Sequence, residues 1–353
     1  MATAAIAAAP ATAVTAPRLK VGAVTAGLAL ILLTTAAASL SLGASGLLPW
    51  ELFSRDLSPA ERAILLDIRL PRLLLGALVG ASLAVSGALM QGLFRNPLAD
   101  PGLVGVGAGA GLGAVVAIVL GGLMPAAIHA ATGMYLVPLF AFFGGWATTL
   151  ILYRVASLRG QTSIATMLLA GIVLGALAGA ATGVLVYLAD DNQLRDLTFW
   201  GLGSLAGANW TKLAAAAPIL IAGLALSPLL ARGLNAMALG EGVARHLGVP
   251  VEGVKRGAIL IVAAMTGASV AVSGGIGFVG IVVPHILRLA IGPDHRSLLP
   301  TAALFGAALL IAADTVSRLV VSPAELPIGI IMALIGAPVF LWILLARRAT
   351  MEI

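Results

Sequence analysis

The chain has 353 residues, 60% hydrophobic and only 10% charged, with 43 glycines, no cysteine and a formal net charge of +6. A soluble domain carries about a quarter charged residues, so this composition cannot cover a water-facing surface, and a soluble enzyme, a nucleic-acid binder and a disordered chain are excluded despite a pI near 10.5. Without cysteine there is no disulfide, thiolate nucleophile or Cys-ligated metal site, and a mean hydropathy of +1.10 indicates an all-α polytopic membrane protein.

In chain order, residues 1–20, rich in Ala, Thr and Pro, read as a disordered cytoplasmic tail, and residues 21–348 as one transmembrane domain. A helical span needs about 20 apolar residues. Ten stretches qualify: 21–43, 70–93, 102–122, 133–153, 164–188, 212–231, 255–276, 277–291, 298–319 and 326–346. They are spans 1 to 10 below. Arg18 and Lys20 precede the first, as in a signal peptide, but its apolar run exceeds the about 7–15 residues of such a segment, so it is read as a retained span. Span 8 is short, and 192–205 reads as a half-buried extra helix.

Orientation follows the basic residues. With both termini inside, the inner side collects 13 basic and five acidic residues and the outer side seven and nine, which accounts for the +6. The outer loop, about 44–69, is charge-rich, and from Glu51 to Arg72 the sequence balances Arg55, Arg62, Arg69 and Arg72 against Glu51, Asp56, Glu61 and Asp67. It reads either as a salt-bridged loop or as a docking surface for an acidic partner.

Gly80-Ala-Ser-Leu-Ala-Val-Ser-Gly87 in span 2 recurs as Gly267-Ala-Ser-Val-Ala-Val-Ser-Gly274 in span 7, which runs the other way. Similar halves of opposite orientation mark inverted-repeat transporters. Gly105, Gly109 and Gly113 lie one turn apart, a spacing that lets a neighbouring helix approach closely; a dinucleotide loop is disfavoured because no strand–helix unit surrounds them. The three lysines (Lys20, Lys212, Lys255) sit in no phosphate-binding loop, and His129, His246, His285 and His295 show no catalytic or metal spacing. The chain is therefore read as no enzyme and no metal binder.

The sizeable inner loop, Arg232 to Arg256, carries apolar residues at Met237, Val243, Ala244 and Leu247 beside Glu241 and Arg245. This pattern fits two short amphipathic helices broken at Gly240 and Gly242, within about 234–250. Its modest charge favours docking to a soluble partner over resting on lipid. An ion-coupled secondary transporter would need an intramembrane carboxylate; Asp314 is the candidate, and pairing with Arg318 is its simpler role.

Four segments carry a resemblance. They are Arg95-Asn-Pro-Leu-Ala-Asp-Pro-Gly-Leu-Val-Gly105, Gly274-Gly-Ile-Gly-Phe-Val-Gly-Ile-Val-Val-Pro-His-Ile-Leu-Arg288, Gly292-Pro-Asp-His-Arg-Ser-Leu-Leu-Pro300, and Glu325-Leu-Pro-Ile-Gly329 with Gly336-Ala-Pro-Val-Phe340. From about residue 65 to 346 the chain resembles the FecCD permeases of type II ABC importers for iron–siderophores, haem and cobalamin. The resemblance implies ten helices in the bacterial inner membrane, a second copy forming the pathway at a homodimer interface, two cytoplasmic ATPase subunits carrying ATP and Mg, and a periplasmic binding protein. It places Glu241, Ala244, Arg245, Leu247 and Gly248 on the coupling helices. Arg69, Arg72 and Arg318 correspond to arginines that meet the binding protein, and Asn96, Leu98, Thr162 and Ser163 to the cytoplasmic gate. The segment 194–207 looks most like its haem-permease counterpart, so haem leads as cargo, with a ferric siderophore or cobalamin as alternatives. Haem ligation uses His, Met, Tyr or Cys, yet neither His285 nor Met90 is nominated, because a conduit gains nothing from tight binding. No cofactor is expected to reside on the chain.

Overall fold

The computed structural model describes residues 19–43, 46–54, 56–158 and 161–351. The tail through residue 18, together with Arg55, Arg159 and Glu352, lies outside them. Eight described helices are long and apolar enough to cross a membrane, and two shorter apolar ones, Val279–Ile291 and Ile328–Trp342, bring the set to the expected ten.

The spans are Val21–Ser41, Leu70–Leu93, Val106–Leu120, Leu136–Ala156, Ile164–Leu188, Trp210–Leu226, Val251–Ser273, Val279–Ile291, His295–Val320 and Ile328–Met351. Local chemistry sets many of their ends. The Ser163 hydroxyl accepts the Thr166 N–H and opens span 5. Asp190 and Gln193 form a reciprocal capping box that starts the extra helix Asp191–Leu202, and Asn209 and Asp294 cap spans 6 and 9.

Three boundaries differ from expectation. Span 2 continues an outer helix that begins at Pro59, through a wide turn over Ile64–Arg69, so half of the expected outer loop is helical. Span 7 starts at Val251, four residues early, which puts Lys255 inside a helix rather than in the loop. The break between the two short inner helices, Ala231–Ala238 and Glu241–His246, falls at Leu239–Gly240 alone; Gly240 has φ +111°, and Gly242 continues the second helix.

Close helix contacts explain the glycines. A Cβ on Gly109 would lie 2.4 Å from the Gly144 carbonyl oxygen and one on Gly113 2.0 Å from that of Phe140, whereas Gly107 and Gly111 meet nothing within 4 Å. The Gly105-x3-Gly109-x3-Gly113 face thus packs span 3 on span 4, as the spacing predicts. Gly80 and Gly306 oppose each other across spans 2 and 9, each Cβ position 2.3 Å from the other's carbonyl oxygen, and Gly87 abuts Gly280 of span 8. Span 2 forms the centre, buried on every side from Val79 to Leu93. Spans 1 and 5 lie outermost.

Span 8 has thirteen residues, about 20 Å of helix, too short to cross alone. The irregular stretch before it, with Gly274 and Phe278 in left-handed conformations, packs against residues 201–203 and Gly329. Irregular backbone is tolerated at membrane depth where protein covers it.

Candidate functional site

Three groups of predicted residues occupy two ends of the molecule. The short helices Ala231–Ala238 and Glu241–His246 define one end. Asn235 holds this end to span 9: its side-chain oxygen accepts the His295 N–H at 3.0 Å, and its amide donates to Asp294. The Arg296 N–H, the Asn235 amide and the nearby Arg296 charge keep the Asp294 carboxyl below the ordinary carboxylate range. The apolar residues of this segment point two ways. Met237 and Ala244 are buried. Leu239, Val243 and Leu247, spaced by four, are 68%, 46% and 63% exposed. Ala244, expected on the docking face, packs its methyl inward, and Leu239 is exposed beside Val243 and Leu247. Gly248 takes φ +78° as the chain turns into span 7.

Glu241 and Arg245 lie among charged neighbours. Lys255, 2% exposed, donates to Glu241 at 2.8 Å, to Glu252 at 3.3 Å and to the Thr162 carbonyl at 2.8 Å. The other Glu252 oxygen accepts the Thr162 N–H at 2.9 Å. Arg245 borders both carboxylates at 3.5–3.7 Å. Sequence reasoning missed Lys255 and Glu252, because a hydropathy reading takes a charge as the edge of a span.

Of the residues expected at the gate, Thr162 ends a two-residue antiparallel pairing, Ser157–Leu158 with Gln161–Thr162, and Ser163 follows it. Thr162 is buried and bonds Ser157 through its hydroxyl at 2.9 Å, while Ser163 is exposed. Asn96 and Leu98 form a separate turn, in which the Asn96 side chain accepts the Leu98 N–H at 3.0 Å and Arg95 takes φ +50°. Asp100 caps the following turn through the Gly102 N–H at 2.8 Å. Among the described residues no hydrogen bond joins the two gate segments within one chain.

At the opposite end Arg69, Arg72 and Arg318 do come together, as a largely buried cluster. Arg72, 7% exposed, contacts Asp314 and Glu325 with paired bonds of 2.9–3.1 Å. Arg318 lies 3.3 Å from Asp314 and donates to the Ser39 carbonyl. Arg69 donates to the carbonyls of Leu40 and Leu47. Carbonyls at a helix C-terminus lack intrahelical partners, and two arginines satisfy those of span 1. These guanidinium groups have internal partners; among the described residues Asp56, Arg62 and Asp67 of the preceding segment are exposed, as is Glu325. Asp314 is paired by two arginines, which removes the free carboxylate that an ion-coupled mechanism needs. His285 and Met90 are both buried in the helix packing.

The FecCD transport family matches residues 29–346. The chain is 46% identical over 332 residues to the hemin transport system permease of Yersinia pestis, covering 94% of this chain and 97% of that protein. It is 43% identical to the cobalamin import system permease of Halobacterium salinarum, covering 86% and 81%, and 42% identical to the vitamin B12 import permease of Escherichia coli, covering 90% and 93%. A solved metal-chelate type ABC transporter in an inward-facing conformation superimposes with a TM-score of 0.80 at 33% identity, over 90% of this chain and 97% of that one. The chain belongs to the FecCD transport family and is a multi-pass permease of a type II ABC importer.

Proposed function

We propose that two copies of this chain form a haem pathway across the inner membrane, with both termini on the cytoplasmic side. Two ATPase subunits bind at the Ala231–His246 end and drive transport with ATP and Mg, and a periplasmic binding protein delivers cargo at the end near Arg72. The haem assignment is supported by the full-length similarity to a hemin permease; the cobalamin permeases, at 42–43% identity, set the alternative. A cleft of about 450 Å³ between spans 3 and 5 and the extra helix, bordered by Leu194, Thr198 and Trp200, lies along the segment whose sequence resembles haem permeases. Its walls are apolar and aromatic, suited to a flat macrocycle. The second copy rests on the family resemblance.

The observation that carries the ATPase reading is the exposed Leu239, Val243 and Leu247 face on a chain with no nucleotide-binding loop. Burying a leucine side chain contributes about 1.5–3 kcal/mol, so Leu247→Ala should weaken ATPase association by about tenfold or more while membrane insertion is retained. Co-purification at graded salt and detergent measures this. Unchanged association would place the contact elsewhere. For cargo, proteoliposomes holding permease, ATPase and binding protein should accumulate haem in an ATP-dependent manner. Accumulation of cobalamin or a ferric siderophore in place of haem would overturn the assignment.

A further inference from the structure

We propose that Lys255, together with Glu252, is the positioning pair that makes the gate strand follow the coupling helices. The proposal rests on the reading that Glu241–Gly248 engages an ATPase and that Thr162 and Ser163 belong to the gate. Nothing in the family resemblance singled out either residue.

The three Lys255 ammonium protons go to three different elements: the Glu241 carboxylate at the start of the coupling helix, Glu252 on its own helix, and the backbone carbonyl of Thr162 on the gate strand. Glu252 returns its second oxygen to the Thr162 N–H. Both backbone polar groups of one gate residue are thus held by two side chains one turn apart on span 7. The next residue, Ser163, is exposed and caps span 5. Among the described residues no hydrogen bond or ion pair runs directly from Glu241–His246 to Gln161–Ser163, so polar contact between them passes through this pair.

Burial decides what such a link does. An exposed ion pair yields to water at little cost and transmits nothing. Lys255 is buried, so losing Glu241 leaves its ammonium with one carboxylate, Glu252, in place of two, an unfavourable change for a charge held out of water. Displacing Glu241 therefore carries Lys255 with it, and Lys255 carries the Thr162 carbonyl. The path runs from Leu247 at the surface, along the short helix to Glu241, then through Lys255 to Thr162 and the first turn of span 5. A cleft of about 490 Å³, bordered by Leu158, Gln161, Ser163 and Arg245, flanks the cluster and leaves the hairpin room to shift.

The test uses the assembled permease and ATPase in lipid nanodiscs, with Ser163→Cys as reporter; the chain has no cysteine of its own. In the parent, cross-linking between copies at position 163 should change between the nucleotide-free and ATP-bound states. A parent without that change refutes the gate reading itself. Given that change, Lys255→Met is the decisive variant, since methionine keeps the buried aliphatic stem and removes the ammonium. The ATPase should stay bound and continue to hydrolyse ATP. Cross-linking at 163 should no longer respond to nucleotide, and uptake should fall by about tenfold or more, within the range of coupling between sites. A Lys255→Met protein that keeps nucleotide-dependent cross-linking overturns the proposal. If that variant fails to assemble, Glu252→Ala decides by the same readouts, because it frees the Thr162 N–H while Lys255 still pairs with Glu241. A purely structural brace gives either full coupling or loss of the complex, never a hydrolysing complex with an unresponsive gate.

Discussion

Replacing Arg72 by methionine should lower the melting temperature of the purified permease by about 5–10 °C, before any binding protein is added. Arg72 is the shared partner of Asp314 and Glu325, which come from span 9 and the loop before span 10. Asp314 is itself buried. Removing one member of a buried charge cluster costs about 3–5 kcal/mol, because the remaining charge stays out of water unpaired. Arg318 is 3.3 Å from Asp314 and offsets part of that cost; Glu325 is more exposed and regains solvent. The measurement is thermal unfolding in detergent, set beside binding-protein association at two salt concentrations. A variant with parental stability and slower, less salt-sensitive docking would mean that Arg72 serves the partner and not the fold.

The second large effect concerns the crossing of spans 2 and 9. Gly80→Ala places a methyl 2.3 Å from the Gly306 carbonyl oxygen, and Gly306→Ala does the same in reverse. Neither obstacle is a flexible side-chain tip, so the helices must separate. Overpacking a core costs about 1–3 kcal/mol, and more where backbone has to move. The two changes should not be additive, since one separation relieves both collisions. Gly107→Ala is the control: its Cβ meets nothing within 4 Å, and alanine in a helix is favoured over glycine by about 0.5–1 kcal/mol. Expression level and thermal unfolding of the three variants check the ranking. A Gly80→Ala protein as stable as Gly107→Ala would refute the close crossing.

Much of the membrane architecture was legible because the bilayer imposes a length on apolar runs. Span 5 falls on residues 164–188 in both readings, since Ser163 supplies a polar cap and the apolar run is unbroken. The packing role of Gly109 and Gly113 was legible for a similar reason: a four-residue spacing has one geometric meaning on a helix. What hydropathy misreads is a charge that lies inside. Lys255 and Arg72 each look like the edge of a span, yet each is buried because its partners come from elsewhere in the chain, Thr162 for one and Asp314 and Glu325 for the other. Periodicity likewise grouped Met237, Val243, Ala244 and Leu247 as the apolar residues of two short amphipathic helices, although two of them cover the core and two face outward. A short helix with apolar residues on both sides cannot be divided until its neighbours are known. The outer helix from Pro59 was hidden by its own charges, which suggested a loop.

The attachment of span 1 has a consequence for synthesis. Its beginning is held where the Leu19 N–H meets the Ala290 carbonyl, and its end where Arg318 reaches Ser39. The helix between lies along span 9 with few buried residues of its own. These partners leave the ribosome more than 270 residues after the helix they secure. Arg69 reaches the Leu40 carbonyl early, but span 1 is otherwise among the last to be fixed, held by little more than that contact while spans 2 to 8 assemble. Chains halted before residue 290 should present a loosely attached span 1 to membrane quality-control proteases, whereas chains reaching about residue 320 should resist them.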